Sequence, residues 1–189
     1  MSSIYDTLSD HGDRRIRAVG LSLLEARRGE RILEIGFGTG TSVVALAEAV
    51  GESGHVFGVD ISPGMKAVAE ARSGRRDQPH APLQNATVDA VFMAFTLELF
   101  PNDTIPLVLS EVRPTLRPGG RLSVVSMAHD PAEPSRPERI YGWIHGIFPT
   151  SSTVGRLMSS GSQTDTGFVI ARVERLEVWG LPVTAILAY

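Results

Sequence analysis

The sequence of 189 residues contains no cysteine, few aromatic residues and no long apolar run. Because cysteine is absent, disulfides, thiolate metal sites and thiol nucleophiles are excluded. No segment reaches the roughly 18 apolar residues that a membrane-spanning helix needs. The polar start Met1-Ser2-Ser3 also lacks the apolar core of a signal peptide. We therefore expect a cytoplasmic protein without a membrane span.

The charge is nearly balanced, with a formal net charge of −3 at pH 7. This balance gives no electrostatic footprint for nucleic acid, so no nucleic-acid partner is predicted. The short arginine groups are interpreted as solvated faces: Arg14, Arg15, Arg17, Arg72, Arg75 and Arg76. With 42% hydrophobic residues, the chain can bury one sizeable core and needs no second domain.

The most informative segment is RILEIGFGTG, residues 31–40, in which an apolar run opens into three alternate glycines. The next residues place Val43, Leu46, Ala47 and Val50 on one helical face. The pattern predicts a strand, a tight turn and a helix. Glycine tolerates positive φ and lets a ligand approach the main chain closely, although such a turn also occurs without a ligand.

A second apolar strand is predicted at residues 55–60, and it ends on Asp60. An acid at this place, about 20 residues after the glycines, can accept hydrogen bonds from ribose hydroxyls. A dinucleotide fingerprint requires G-x-G-x-x-G, but Thr41 stands where its last glycine would be. Glu34 would oppose a diphosphate and suits a cationic amino group. The residues thus favour a nucleoside cofactor that carries an amino-acid group.

The segment from Glu34 to Gly40 resembles motif I of the class I S-adenosylmethionine-dependent methyltransferases. The resemblance implies S-adenosyl-L-methionine as the cofactor, with Asp60 on the ribose and Ile61 on the adenine. The stretch AFTLELF, residues 94–100, is similar to the branch of small-molecule methyltransferases that act in ubiquinone and menaquinone biosynthesis. The cofactor-binding residues implied are Glu34, Gly36, Phe37, Gly38, Gly40, Asp60, Ile61, Asp77, Gln78 and Phe95.

The remaining pattern continues the alternation of strand and helix. Helices are predicted at residues 16–26, after Asp103 and at 138–148. Strands are predicted at 88–93, within 116–125 after a Pro-Gly-Gly turn at residues 118–120, and at 168–178 and 183–188, the last two antiparallel. We therefore predict an α/β fold, a Rossmann-like doubly wound sheet that is mostly parallel with one antiparallel strand near the C-terminus. The single domain would comprise a helical segment (1–30), a cofactor-binding core (31–127) and a substrate-side loop, helix and hairpin (128–189).

One interval departs from the resembled family, which carries a third strand and an acidic turn before the strand at 88. Asp77 can match the acid that contacts the adenine, but residues 73–76 are too short for an ordinary strand. The third of the usual seven strands is therefore predicted to be shortened or missing. An uncovered edge at residues 56–59 would favour homodimerisation or weaken cofactor binding.

The predicted activity is transfer of a methyl group to a small, partly apolar acceptor, at oxygen or carbon, by in-line displacement. No catalytic triad is required, because the cofactor carries the reactive methyl group. Glu98 and His129 are candidate bases at carboxyl ends of strands, and no metal site is predicted. A non-catalytic cofactor-binding relative and a nicotinamide-dependent oxidoreductase remain the alternatives.

Overall fold

The structure, a computed structural model, describes residues 15–60, 85–101, 104–127, 166–178 and 181–189. Four sequence-predicted site residues lie outside these ranges: Ile61, Asp77, Gln78 and His129. The third-strand interval, the cap at Asp103 and the helix predicted at 138–148 lie outside them as well.

The described elements alternate in the predicted order. Helix α1 covers residues 15–24, and it is followed by β1 (Arg31–Ile35), α2 (Thr41–Val50) and β2 (His55–Val59). Then come β3 (Val88–Ala94), a 3₁₀ turn (Leu97–Leu99), α3 (Ile105–Val112) and a second 3₁₀ turn (Arg113–Thr115). The chain closes with β4 (Leu116–Met127), β5 (Ile170–Val178) and β6 (Leu181–Ala188).

All six strands form one sheet in the order β2-β1-β3-β4-β6-β5. The first four are mutually parallel, and β6 runs antiparallel to both of its neighbours. The predicted mostly parallel sheet with one antiparallel strand is confirmed. Within the described part of the chain, β2 is the outermost strand on its side. Because β1, β2 and β3 are parallel, their carboxyl ends meet at one edge of the sheet.

Helices cover both faces of the sheet, as a doubly wound fold requires. On one face, Ile16 and Leu24 of α1 and Leu46 of α2 share an apolar cluster with Phe92 of β3. On the other face, the apolar side of α3 packs against alternate residues of the same strands, so Leu109 lies in a second cluster. The predicted α3 stripe is confirmed, since Ile105, Leu109 and Val112 are buried and Val108 is partly so.

Several strand ends differ from the sequence predictions by one or two residues, and two larger differences have local backbone reasons. The helix predicted at 16–26 ends at residue 24 because Glu25 has a φ of 50°, which lies outside the right-handed helical region. The strand predicted to follow a turn at residues 118–120 already pairs at Leu116 with Val88. An irregularity before Arg121 then restores the pairing with Ala90, so β4 runs over 12 residues.

Helix α1 is fixed on β4 by polar contacts and by one close approach. Arg121 is buried, donates to the carbonyls of Leu24 and Glu25 and binds both carboxylate oxygens of Glu30, at 2.9 and 2.7 Å. Ser123 donates to the Gly20 carbonyl at 2.8 Å. These contacts fix where α1 lies along the sheet. They therefore also fix the position of the residues of α1 that precede Gly20.

Candidate cofactor site

The glycine turn joins β1 to α2 at the carboxyl edge of the sheet. The N–H of Gly36 donates to the carbonyl of Val59 at 2.7 Å, so the turn begins beside the end of β2. Gly36, Gly38 and Gly40 have φ angles of 73°, 51° and 78°, all in the left-handed region that favours glycine. The three alternate glycines of the sequence are thus explained by the backbone path itself.

Gly36 is constrained by its surroundings as well as by its backbone. A Cβ at this position would overlap the side chain of Thr96 and would lie 2.6 Å from its Cγ2. The Thr96 hydroxyl donates to the carbonyls of Ile35 at 3.0 Å and of Ala94 at 3.2 Å, so it ties the ends of β1 and β3 together. The first glycine therefore serves the packing of the turn.

Gly38 lies in a different environment. Among the described residues, no atom comes within 4 Å of the place where its Cβ would be. Its N–H donates to Oδ2 of Asp60 at 2.8 Å, so the carboxylate that ends β2 is held against the turn. An open space beside bare main chain, bordered by a fixed carboxylate, could admit a nucleoside.

Glu34, the fourth residue of β1, has a fully buried side chain. Neither of its carboxylate oxygens, nor the buried hydroxyl of Ser42, has a hydrogen-bond partner among the residues that the structure describes. Burial raises the pKa of Glu34 from 4.5 to about 8; the positive charge of Arg17 and the Ser42 hydroxyl oppose this shift, and Asp60 adds to it. A buried acid without a partner is costly, which marks it as a candidate ligand contact.

The neighbours of Glu34 in the sheet are a glycine and an aromatic residue. In the register of the sheet Glu34 lies opposite Gly58 of β2 and Phe92 of β3.

Phe95 follows the carboxyl end of β3 and has a φ of 56°, which is unusual for a bulky residue. Its N–H donates to the Val125 carbonyl at 2.8 Å, and this bond holds the strained backbone in place. The Arg17 guanidinium of α1 lies 5.5 Å from the centre of the Phe95 ring. The interpretation of Arg17 as part of a solvated face is therefore wrong, because Arg17 is half-buried over an aromatic ring and its charge acts on Glu34.

The other predicted site residues occupy distinct places. The Phe37 side chain is buried in the apolar core, so Phe37 contributes only its main chain to the surface of the glycine turn. Glu98 is half-buried in the 3₁₀ turn after β3, at the same edge of the sheet. In the part of the chain that the structure describes, no group of three or more His, Asp or Glu side chains could hold a metal ion. None of the described helices has the length and apolarity needed to cross a membrane.

Comparison with known proteins gives matches of sequence and of fold. The methyltransferase domain family matches residues 32–120. The chain is 36% identical over 154 residues to a demethylmenaquinone methyltransferase of Beutenbergia cavernae, which covers 77% of this chain and 60% of the relative. It is 30% identical over 149 residues to a 2-phytyl-1,4-naphtoquinone methyltransferase of Synechococcus elongatus. This match covers 71% of this chain and 63% of that relative. The chain thus spans about three-fifths of the length of these two curated relatives.

The fold is also that of the magnesium protoporphyrin IX methyltransferase from Synechocystis PCC 6803, solved with bound S-adenosylhomocysteine. The TM-score is 0.67 at 18% identity, with 100% of this chain and 87% of the other covered. Sheet order and glycine turn define a Rossmann-like domain, a fold in which ligands bind at the carboxyl edge of the sheet. These findings support the resemblance of the chain to the class I S-adenosylmethionine-dependent methyltransferases, and the two curated relatives are named as a demethylmenaquinone methyltransferase and a 2-phytyl-1,4-naphtoquinone methyltransferase.

The site residues fit the cofactor of that class. S-adenosylmethionine presents an ammonium group at one end and a ribose in its middle. The carboxyl of Glu34 can accept from the ammonium, and the carboxylate of Asp60, which is held at the glycine turn, can accept from ribose hydroxyls. The space over Gly38 is clear of side chains. Nothing in the described part of the site conflicts with this cofactor.

Proposed function

We propose that this chain binds S-adenosyl-L-methionine and transfers its methyl group to a small, partly apolar acceptor at oxygen or carbon. The observation that carries the proposal is the buried carboxyl of Glu34, which lacks a hydrogen-bond partner among the described residues and stands four positions before Gly38, whose flank is open. A quinone-like acceptor is favoured, because the two curated relatives are named for methylation of demethylmenaquinone and of a phytyl naphthoquinone.

The protein's part in the reaction is binding and orientation. When bound, S-adenosylmethionine supplies a methyl group on a sulfonium, which needs no further activation by the protein. Glu34 would bind the ammonium and Asp60 the ribose, while the main chain of the turn lets the nucleoside approach closely. In the proposal Ile61, Asp77, Gln78 and Phe95 complete the adenine side of the site.

Methylation at oxygen or carbon releases a proton from the acceptor, so a base at the sheet edge would assist. Glu98 is the described candidate, because it lies just beyond the end of β3 on the same edge as Glu34 and Asp60. His129 is the second candidate of the proposal. Substitution of Glu98 by Gln should lower the rate of transfer and leave cofactor affinity unchanged if it acts as the base.

A thermal-shift measurement tests cofactor binding. A ligand at 100 times its dissociation constant adds about 2.7 kcal/mol, which for a chain of this size raises the melting temperature by about 5 to 10 °C. S-adenosylmethionine and S-adenosylhomocysteine should give this rise and NAD should not. A rise with NAD alone would support the oxidoreductase alternative, and no rise with any of the three would contradict the proposal.

Methyl transfer itself is tested with a deuterated methyl donor. The acceptor panel comprises reduced naphthoquinones with short prenyl chains, a catechol, an RNA oligonucleotide and a peptide mixture, analysed by mass spectrometry. The proposal expects a labelled methyl on a naphthoquinol or another small apolar acceptor. Binding without transfer to any acceptor supports the non-catalytic alternative, and labelling of RNA or peptide alone refutes the proposed acceptor class.

Two further parts of the proposal concern the assembly and the compartment. Val59 on the outermost described strand is 50% exposed, which is consistent with pairing of two copies through β2. Sedimentation across a concentration series tests this: a dimer that dissociates in a Val59→Lys variant supports it, and a monomer at all concentrations contradicts it. The cytoplasmic location expected from the sequence stays a prediction.

A further inference from the structure

We infer that Arg17 binds the carboxylate at the amino-acid end of the cofactor and pairs with Glu34 as the second half of a zwitterion site. This inference rests on the proposed function and adds a residue that the sequence motif does not contain. It starts from the placement of α1, which the contacts with β4 determine.

Helix α1 runs antiparallel to β4, and three contacts record its direction. Arg121, near the amino end of the paired part of β4, binds the carbonyl of Leu24 at the end of α1. One turn earlier in α1, Gly20 lies over Ser123 and would meet Val125 and Phe92 if it carried a Cβ. Moving backwards along α1 therefore moves towards the carboxyl edge of the sheet.

Arg17 lies three residues before Gly20, on the same side of the helix. The direction of α1 brings it to the carboxyl edge, where its guanidinium lies 5.5 Å from the centre of the Phe95 ring. Phe95 follows β3 directly, and β3 is the neighbour of β1, which carries Glu34. The guanidinium is thus held by an aromatic face at the edge where the orphaned carboxyl is buried.

The chemistry of the cofactor requires two opposite charges side by side. An α-amino acid carries its ammonium and its carboxylate on one carbon, so a carboxylate that binds the first needs a cation close by for the second. Arg17 acts electrostatically on Glu34, and its planar guanidinium can bind a carboxylate through two parallel hydrogen bonds. Bound between them, the amino-acid end would complete an alternating row of four charges.

The experiment compares two ligands that differ only in this carboxylate: S-adenosylmethionine and its decarboxylated form, which keeps the ammonium. Affinities are measured by titration calorimetry for the wild type, Arg17→Met, Arg17→Lys and Arg15→Met. Arg15 is exposed on the same helix and is the matched control. Arg17→Lys keeps the charge without the planar fork, and it provides the comparison if Arg17→Met does not fold.

We expect Arg17→Met to weaken binding of S-adenosylmethionine about 10- to 100-fold, as the loss of a charged hydrogen bond would. Binding of the decarboxylated form should change by less than about threefold by the same reasoning, and Arg17→Lys should lie between. Equal losses for both ligands would mean that Arg17 acts only through Glu34, and no loss would remove it from the site; either result overturns the inference. If the wild type binds neither ligand, the result would instead contradict the proposed function.

Discussion

Replacement of Glu34 by Gln should make the cofactor-free protein more stable while it weakens cofactor binding. The carboxyl is fully buried without a hydrogen-bond partner among the described residues, and its pKa in the folded protein is about 8 against an ordinary value of 4.5. The folded state therefore holds the proton more tightly than the unfolded chain. Gln keeps the size and shape of the neutral acid but has no proton to lose.

The expected effect depends on pH in a defined direction. Below pH 4.5 Glu34 is neutral in both states, so the variant and the wild type should have similar free energies of unfolding. As the pH rises from 4.5 towards 8, only the unfolded chain loses the proton, and the wild type loses about 1.4 kcal/mol of stability per pH unit. The advantage of the variant should reach about 3 kcal/mol at pH 7 and level off above pH 8.

Urea unfolding of ligand-free protein at pH 5, 6, 7 and 8, followed by circular dichroism, measures this difference. Glu48→Gln is the matched control, because Glu48 is exposed on α2 and its loss should change the stability by less than about 0.5 kcal/mol. A difference between Glu34→Gln and the wild type that stays constant from pH 5 to pH 8 would refute the reasoning. So would a variant that is less stable than the wild type at pH 8.

Three further outcomes follow from the same site and its supports. Gly38→Val should cost about 1 to 2 kcal/mol of stability through its positive φ and should abolish cofactor binding in calorimetry. Gly119→Val is the control: its φ is 76° and its surroundings are equally open, so it should cost as much stability and leave binding intact. Arg121→Met should cost about 3 kcal/mol or more in urea unfolding, since it removes the ion pair with Glu30 and the hydrogen bonds to the carbonyls of Leu24 and Glu25, against less than about 1 kcal/mol for Arg117→Met at an exposed pair. Affinity for S-adenosylmethionine should rise up to about tenfold per pH unit between pH 6 and 7.5, because Glu34 must lose its proton to bind an ammonium, and calorimetry in two buffers should detect the released proton.

The sequence predicted the parts of the site that belong to one stretch of chain. The alternate glycines specify a backbone path with positive φ, and that requirement is local, so spacing was enough to locate the turn. Asp60 was also predictable, because an acid at the end of the next parallel strand must lie at the same edge as the turn. The fold class followed from the alternation of strand and helix patterns in the apolar residues along the chain.

The parts that were missed depend on tertiary contacts. Arg17 stands among other arginines near the start of the chain, and nothing local distinguishes it from Arg15. What distinguishes it is the docking of α1 on β4, set by Arg121 and Ser123 about 100 residues away in sequence. The left-handed backbone of Phe95 is likewise held by the Val125 carbonyl and has no signature in the residue itself.

Glu34 is also an exception within its own strand, and that exception explains why ligand binding and folding should be coupled. The two residues before it, Ile32 and Leu33, are buried and apolar, so burial of the strand needs no acid at this position. The carboxyl makes the cofactor-free fold less stable as the pH rises through the range below its pKa of about 8. A bound ammonium would give the carboxylate its missing partner and would favour its ionised form. The energy that burial costs the free protein is thus the reason why a ligand with a positive charge beside a nucleoside should stabilise this fold, and a neutral nucleoside should do so far less.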